Sequence, residues 1–271
     1  DLTHPELVSN LWVNEGEIPG NGRDDDGNGF IDDVRGWDFA GGDDNPSDQN
    51  GHGTHVAGTI AAANNGVGVT GVAPGATIMP VRVLDANGAG STSSVAAGIR
   101  YAVDNGADLI NLSLGGGFSS TILSALEYAA EHAVMVIAAA GNRGASSPDY
   151  PAAHSADLSN VLSVEAHAAD GAKATFSNAA GSAVQVAAPG VAIYSTLVGG
   201  DFGLMSGTSM AAPHVTGLAS LALSANSSLT PADLRAILVA GADRLIAGSD
   251  ASGGVNAAAT VARAAGFVCL L

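Results

Sequence analysis

Ser91–Ala139 reads STSSVAAGIRYAVDNGADLINLSLGGGFSSTILSALEYAAEHAVMVIAA. Two helical patterns, Ser91–Asn105 and Ser120–His132, alternate here with two short apolar runs, Ala107–Leu112 (ADLINL) and Val134–Ala139 (VMVIAA). A strand that is apolar along its whole length is buried on both faces. Alternation of such strands with helices predicts a parallel sheet covered by helices on both sides. Outward from this stretch, Gly53–Ala63 is helical and Ala-rich, and Ala76–Leu84 (ATIMPVRVL), Val161–Ala166 and Ala183–Ala187 read as strands. Ser209–Ser224 is a nearly all-apolar helix, predicted to be buried on every side. Thr230–Val239 is a further helix, with Thr230 as N-cap and Pro231 at its first position. Residues 1–51, dominated by Gly, Asn, Asp and Pro, read as loop. The pattern predicts one α/β domain of three layers, with an active site at the carboxyl ends of the strands.

The chain has 271 residues, 46% of them hydrophobic and only 13% charged, which suits a large packed core. Aromatics are 4%, so that core is built from Ala, Val, Leu and Ile. Net charge is −17, from 26 acidic and 9 basic residues. Such a surface repels nucleic-acid phosphates and anionic lipid, and no apolar run reaches the length of a membrane span. The acidity serves solubility or, where it clusters, cation binding. The single cysteine, Cys269, allows no intrachain disulfide. The chain opens on Asp1 without Met or signal peptide, so it reads as processed or as a fragment.

Three segments carry chemistry. Gly207-Thr208-Ser209-Met210-Ala211-Ala212-Pro213 opens the buried helix and sets a hydroxyl beside free N–H groups and a positive dipole end, a place that favours a nucleophile generating an oxyanion. An ordinary Ser N-cap is the plainer reading. The nucleophile elbow of α/β-hydrolases does not fit, since position 211 is Ala. Gly51-His52-Gly53-Thr54-His55-Val56-Ala57-Gly58 opens another helix, with glycines that let a substrate backbone approach His52. A zinc pair at His52 and His55 lacks a third ligand. Ala138-Ala139-Ala140-Gly141-Asn142 ends a strand on a side-chain amide able to donate to an oxyanion, although Gly-Asn is also common turn chemistry.

Together these segments closely resemble the subtilisin-like serine peptidase (subtilase) family, as do Asn111-Leu112-Ser113-Leu114-Gly115-Gly116 and Ala188-Pro189-Gly190. The resemblance spans nearly the whole chain, 1–267 as a peptidase domain and 268–271 as a tail. It implies a subtilisin-like fold, Ser209 as nucleophile, His52 as general base and acid, and Asn142 as oxyanion donor. It also implies that Ser113, Leu114 and Gly115 pair with the substrate backbone as an added strand, and that His55 and His214 are structural. The family's triad Asp lies about four residues before the aspartate matching Asp1, on the first core strand. That strand and its carboxylate are therefore expected to be missing from this chain, which is expected to be nearly inactive as it stands. The resemblance places the specificity pocket between Ser113–Gly115 and Ala138–Gly141, Ala139 and Gly141 included, with Arg143 at its mouth and Asp149 near its floor. Both charges facing water, a self-neutralising Arg143–Asp149 pair, and an inward Asp149 selecting Lys or Arg are the three options; the expected outcome is a broad preference for large apolar side chains, tempered by the pair.

Two loops predict calcium. Asp24, Asp26 and Asn28, the Phe30 carbonyl, and Asp32 or Asp33 match the D-x-D-x-N-G part of an EF-hand loop, whose twelfth position is here Arg35 and not Glu. A solvated acidic turn is the alternative. Asn64–Gly71 contains a formal G-x-G-x-x-G but is followed by Val-Ala-Pro, not by a helix, which excludes a dinucleotide fingerprint. The family resemblance implies a second calcium loop there, with the Asn65 side chain, the Ala63, Val67 and Val69 carbonyls, and Glu6 as carboxylate. The expectation is a secreted, calcium-stabilised, monomeric serine endopeptidase acting on proteins or peptides, with a propeptide in the full gene product. The alternative is a catalytically dead binding module on the same fold.

Overall fold

A computed structural model describes residues 1–179, 185–243, 248–249 and 251–266. Its centre is a four-stranded, all-parallel sheet in the order β3 (Leu109–Leu112), β4 (Met135–Ala139), β5 (Val161–His167), β6 (Val186–Pro189). β4 is buried on both faces, and its alternation sorts its side chains into two cores. Val136 and Ala138 pack with Val95, Ile99, Ile122 and Leu126 of helices α2 (Thr92–Asp104) and α3 (Ser120–Glu131). Met135, Ile137 and Ala139 face Ala211, Val215, Leu218 and Ala222 of α4 (Thr208–Ala225), with α5 (Pro231–Ala240) and α6 (Ala257–Ala264) beyond. Three layers result, as the sequence predicts.

Local chemistry starts these helices where the sequence places them. Ser91 and Ser119 accept from the backbone N–H groups of Ser94 and Ile122 as N-caps. Thr230 and Asp233 form a capping box around Pro231. α1 (His52–Ala61) is the exception: its N-cap, Gly51, has no side chain and sits at φ 98°. Asp48 supplies the missing cap, accepting from the N–H groups of Asn50, Gly51 and Thr54 and from the Thr54 hydroxyl, all at 2.7–2.8 Å.

Ala76–Leu84 departs from expectation. Only β2 (Val81–Arg82) forms a ladder, with β1 (Trp37–Asp38), and Ile78 makes a lone bridge to Leu11. Pro80 has no N–H to donate, which interrupts pairing. β1 lies within the stretch read as loop. An antiparallel hairpin, β7 (Ile193–Thr196) and β8 (Phe202–Met205), carried no sequence signal strong enough to be read, nor did α6. Of the expected strand Ala183–Ala187, residues 183–184 lie outside the described residues, as do Cys269 and the 268–271 tail; the observed strand begins at Val186.

The parallel sheet is divided. Among the described residues no ladder joins β2 to β3, and a cavity of about 720 Å³ separates them, walled by Ile78–Leu84 on one side and Ala107–Leu114 on the other. His52, Asp48 and Asp1 also line this cavity.

Candidate active site

Ser209 is the second residue of α4, half-buried. Its hydroxyl donates to the Ser113 carbonyl at 3.3 Å, and the Ser113 hydroxyl returns a bond to the Ser209 carbonyl at 2.8 Å. Ser113 is fixed in turn by the Asn111 amide at 2.9 Å, whose oxygen accepts from Thr216 of α4. The end of β3 and the start of α4 are thereby laced together around the nucleophile.

Asn142 lies three residues past β4, with its side chain exposed. Its Oδ1 accepts from the N–H of Thr208 at 2.8 Å and from the Thr208 hydroxyl at 3.0 Å. That hydroxyl accepts in turn from the N–H of Gly141 at 3.1 Å. With its oxygen engaged on both sides, the carboxamide has one orientation, and Nδ2 is the end left to donate into the pocket. The pocket holds about 230 Å³ and is lined by Leu114, Gly115, Ala139, Gly141, Asn142, Arg143, Asp149, Thr208 and Ser209. Of the residues expected to form the specificity pocket, Leu114, Gly115, Ala139, Gly141, Arg143 and Asp149 face one space beside Ser209, whereas Ser113, Ala138 and Ala140 do not line it.

Within it Arg143 and Asp149 form an ion pair. Arg143 is 71% exposed and Asp149 only 12%, so the cation sits at the mouth and the carboxylate below it. Gly141 allows the carboxylate its place: at φ 107°, a Cβ there would lie 2.5 Å from Asp149 Oδ2.

His52 opens α1 and lines the large cavity, whose far wall reaches Ser113 and Leu114. Among the described residues no hydrogen bond joins His52 to Ser209, and no carboxylate hydrogen-bonds to the imidazole. Burial pushes the His52 pKa below its ordinary value; the charge on Asp48 opposes that shift and His55 adds to it. The shift favours the neutral imidazole, the form a general base needs. Asp48 faces the opposite tendencies. Burial would raise its pKa, but the donors at Gly51, Asn50 and Thr54 outweigh burial and hold it at about 2. His55 bonds to the Ile193 carbonyl at 2.9 Å and His214 to the Met210 carbonyl at 2.8 Å, which makes both structural ties.

The predicted metal ligands separate into two groups. In the first loop Asp24 and Asp26 meet Glu17, their carboxylate oxygens all within 4.8 Å of one another. Asp32 instead accepts from the N–H groups of Asn21 and Gly22, and Asp33 is tied to Asn14, Asn28 and the Tyr101 hydroxyl. The Asn28 amide donates to Asp26 and Asp33. Glu17, seven residues before the motif, was not legible as part of it. In the second loop, Ala63 donates its N–H to the Glu6 carbonyl at 2.9 Å, which brings Glu6 to the Ala63–Val69 segment. Glu6 is 3% exposed, and its Oε2 has no hydrogen-bond partner. A buried carboxylate oxygen without a donor, beside a loop rich in backbone carbonyls, fits a hard cation such as Ca²⁺.

A doubly covered parallel sheet with a serine at a helix N-terminus, and an amide aimed into the adjoining pocket, defines a serine-hydrolase architecture. Comparison with known proteins narrows it. The Subtilase family profile matches residues 1–267, and the chain belongs to that family. It is 46% identical to thermitase of Thermoactinomyces vulgaris over 214 residues, covering 78% of this chain and 74% of thermitase. It is 45% identical to subtilisin E of Bacillus subtilis over 74% of this chain, but spans only 54% of that protein's length. A crystal structure of a cold adapted subtilisin-like serine proteinase superposes with TM-score 0.76 at 34% identity, covering 94% of this chain and 82% of the other.

Proposed function

We propose that this chain is the catalytic domain of a secreted serine endopeptidase that cleaves proteins or peptides through an acyl-enzyme on Ser209. The observation that carries the reading is the Asn142 amide, its oxygen held by Thr208 and its residue lining the pocket that contains Ser209. On substrate binding, the Ser209 hydroxyl leaves the Ser113 carbonyl and gives its proton to His52. The oxygen attacks the scissile carbonyl, and the resulting oxyanion accepts from Asn142. His52 then returns the proton to the leaving amine. Water, activated by the same imidazole, releases the acid. Substrate backbone adds as a strand along Ser113–Gly115, and the side chain before the cleaved bond enters the pocket over Asp149. With Asp149 paired to Arg143, the preference is broad and favours large apolar residues.

In this reading Ca²⁺ would be held by Glu17, Asp24 and Asp26 in one loop and by Glu6, the Asn65 side chain and the carbonyls of Ala63, Val67 and Val69 in the other. It would supply stability and no reaction step. The chain as it stands is proposed to turn over slowly, because among the described residues no carboxylate hydrogen-bonds to His52 to orient it or stabilise its imidazolium. The test is labelling with an alkyl fluorophosphonate, followed by peptide mapping. The label is expected on Ser209, slowly in the chain as it stands, and absent from Ser209→Ala; labelling elsewhere, or none on prolonged exposure, overturns the reading and leaves a binding module on the same fold.

A further inference from the structure

Asn178, far from the nucleophile in sequence, stands at the root of the loop that carries Asn142. It is fully buried. Its Nδ2 donates to the Ala140 carbonyl at 3.0 Å, and its own backbone N–H donates to the Gly141 carbonyl at 2.9 Å. Its Oδ1 accepts from the N–H groups of Arg143 and Ala145, both at 2.9 Å. The bonds thus grip the chain immediately before and immediately after Asn142. Asn178 is itself anchored: the Ser177 hydroxyl accepts from the N–H of Ala166 on β5 at 3.0 Å and donates to the Asn178 carbonyl at 3.2 Å.

The chemistry of the grip is specific. The site asks for one donor toward Ala140 and one oxygen with two lone pairs toward Arg143 and Ala145, and a carboxamide is the group that offers both. Gly141 is wedged against it, since a Cβ there would lie 2.3 Å from Asn178 Nδ2. Without this side chain the N–H groups of Arg143 and Ala145 would lose the partner each has among the described residues, and the Ala140 carbonyl would keep only the Asp149 N–H; each unsatisfied group favours rearrangement of the turn. Thr208 orients the Asn142 amide, but only if the Asn142 backbone is held in place.

We infer that Asn178 is a positioning residue for catalysis: it fixes the 140–145 loop so that Asn142 meets the developing oxyanion. This rests on the serine-peptidase reading above. A shift of an ångström in a hydrogen-bond donor weakens transition-state stabilisation while leaving ground-state binding almost intact.

The experiment is a double-mutant cycle on the full chain, reading the rate of Ser209 phosphonylation by a fluorophosphonate, whose phosphonyl oxygen occupies the oxyanion position. Asn178→Ala is expected to slow labelling on the order of tenfold, part of the roughly 10²–10³-fold that an entire oxyanion donor supplies. In an Asn142→Ala background the same change is expected to alter the rate less than about twofold, because the group it positions is gone. Equal losses in both backgrounds would mean general destabilisation and would overturn the inference. Asn178→Ser serves as the second variant where Asn178→Ala does not fold. If the unmodified chain does not label, the serine-peptidase reading fails, and backbone amide exchange decides the clamp separately. Exchange at Gly141–Ala145 is expected to accelerate in the variant, and unchanged protection there overturns the inference.

Discussion

Ser209 and Asn142 sit in a corner held by neutral hydrogen bonds and close packing: Ser113 and Thr216 on one side, Thr208 and Asn178 on the other. His52 heads a helix held by charge. Asp48 caps α1 at its start, and beyond its end the chain enters the Ala63–Val69 loop beside the unpartnered carboxylate of Glu6. The corner opens on a pocket of about 230 Å³, whereas the histidine faces a cavity of about 720 Å³. Neutral hydrogen bonds respond little to pH, salt or metal. Charged caps and cation loops respond to all three. The difference teaches that two halves of one catalytic centre can be assembled by different forces, and so can fail under different conditions.

The largest expected effect comes from filling the gap on the histidine side. Fusing ahead of Asp1 an apolar strand that places an Asp about four residues before it is expected to raise turnover of a peptide amide about 10⁴-fold, the magnitude for this carboxylate in the relative subtilisin. The same fusion with Asn in place of that Asp fills the cavity but gives no such gain. The carboxylate should also raise the His52 pKa, which burial now depresses, by NMR titration. Equal turnover of the Asp and Asn fusions would break the comparison.

Calcium removal is next. A ligand bound only by the folded state at a hundredfold excess over its Kd stabilises by about 2.7 kcal/mol. For a domain of this size that corresponds to roughly 5–10 °C. Calorimetry with and without EDTA is expected to show this drop, and Glu6→Gln and Asp24→Asn are each expected to reduce it. A melting temperature indifferent to EDTA would remove the cation from the account.

Acid should act through Asp48. Its carboxylate is held at about 2 in the folded chain, against about 3.9 when unfolded. The group binds protons less readily when folded, so its contribution is complete above about pH 4 and is lost as pH falls toward 2. At pH 7 Asp48→Asn is expected to cost about 1 kcal/mol, the worth of a helix cap. Melting curves of the two proteins should converge across that acid window. A gap that persists at pH 2 would show that Asp48 acts through packing and not through charge.

The smallest effect belongs to the one exposed ion pair on the serine side. A pair whose arginine is as exposed as Arg143 is worth about 1 kcal/mol, or about fivefold. Arg143→Ala is expected to raise kcat/KM for Lys relative to Leu, before the cleaved bond, by up to about that factor. The gain should shrink in salt and vanish in Asp149→Asn. Wild type that cuts almost solely after Lys and Arg would mean that Asp149, and not the pair, sets the preference.

The sequence alone determined the layers and the chemistry-bearing segments, because both are local. Hydrophobic runs of strand length, the Thr230-Pro231 start of α5, and the two motifs around His52 and Ser209 need no knowledge of the rest of the chain. The first acidic loop was half legible: Asp24 and Asp26 lie in the motif, but Glu17 joins them through a bend, and Asp32 and Asp33 are drawn off by Asn21, Gly22 and Tyr101. β1 and the β7–β8 hairpin escaped because two- to four-residue strands carry almost no periodicity, and α6 because its eight residues AAATVARA are mostly alanine and short. Only the tertiary structure decided which partners satisfy each buried polar group. Asp48 caps a helix whose N-cap is glycine, Asn178 bonds across 33 to 38 residues to the loop around Asn142, and Arg143 turns back to Asp149. Hydrogen bonds and ion pairs depend on distance and angle to within a few tenths of an ångström, and positions distant in sequence acquire that geometry only when the layers pack.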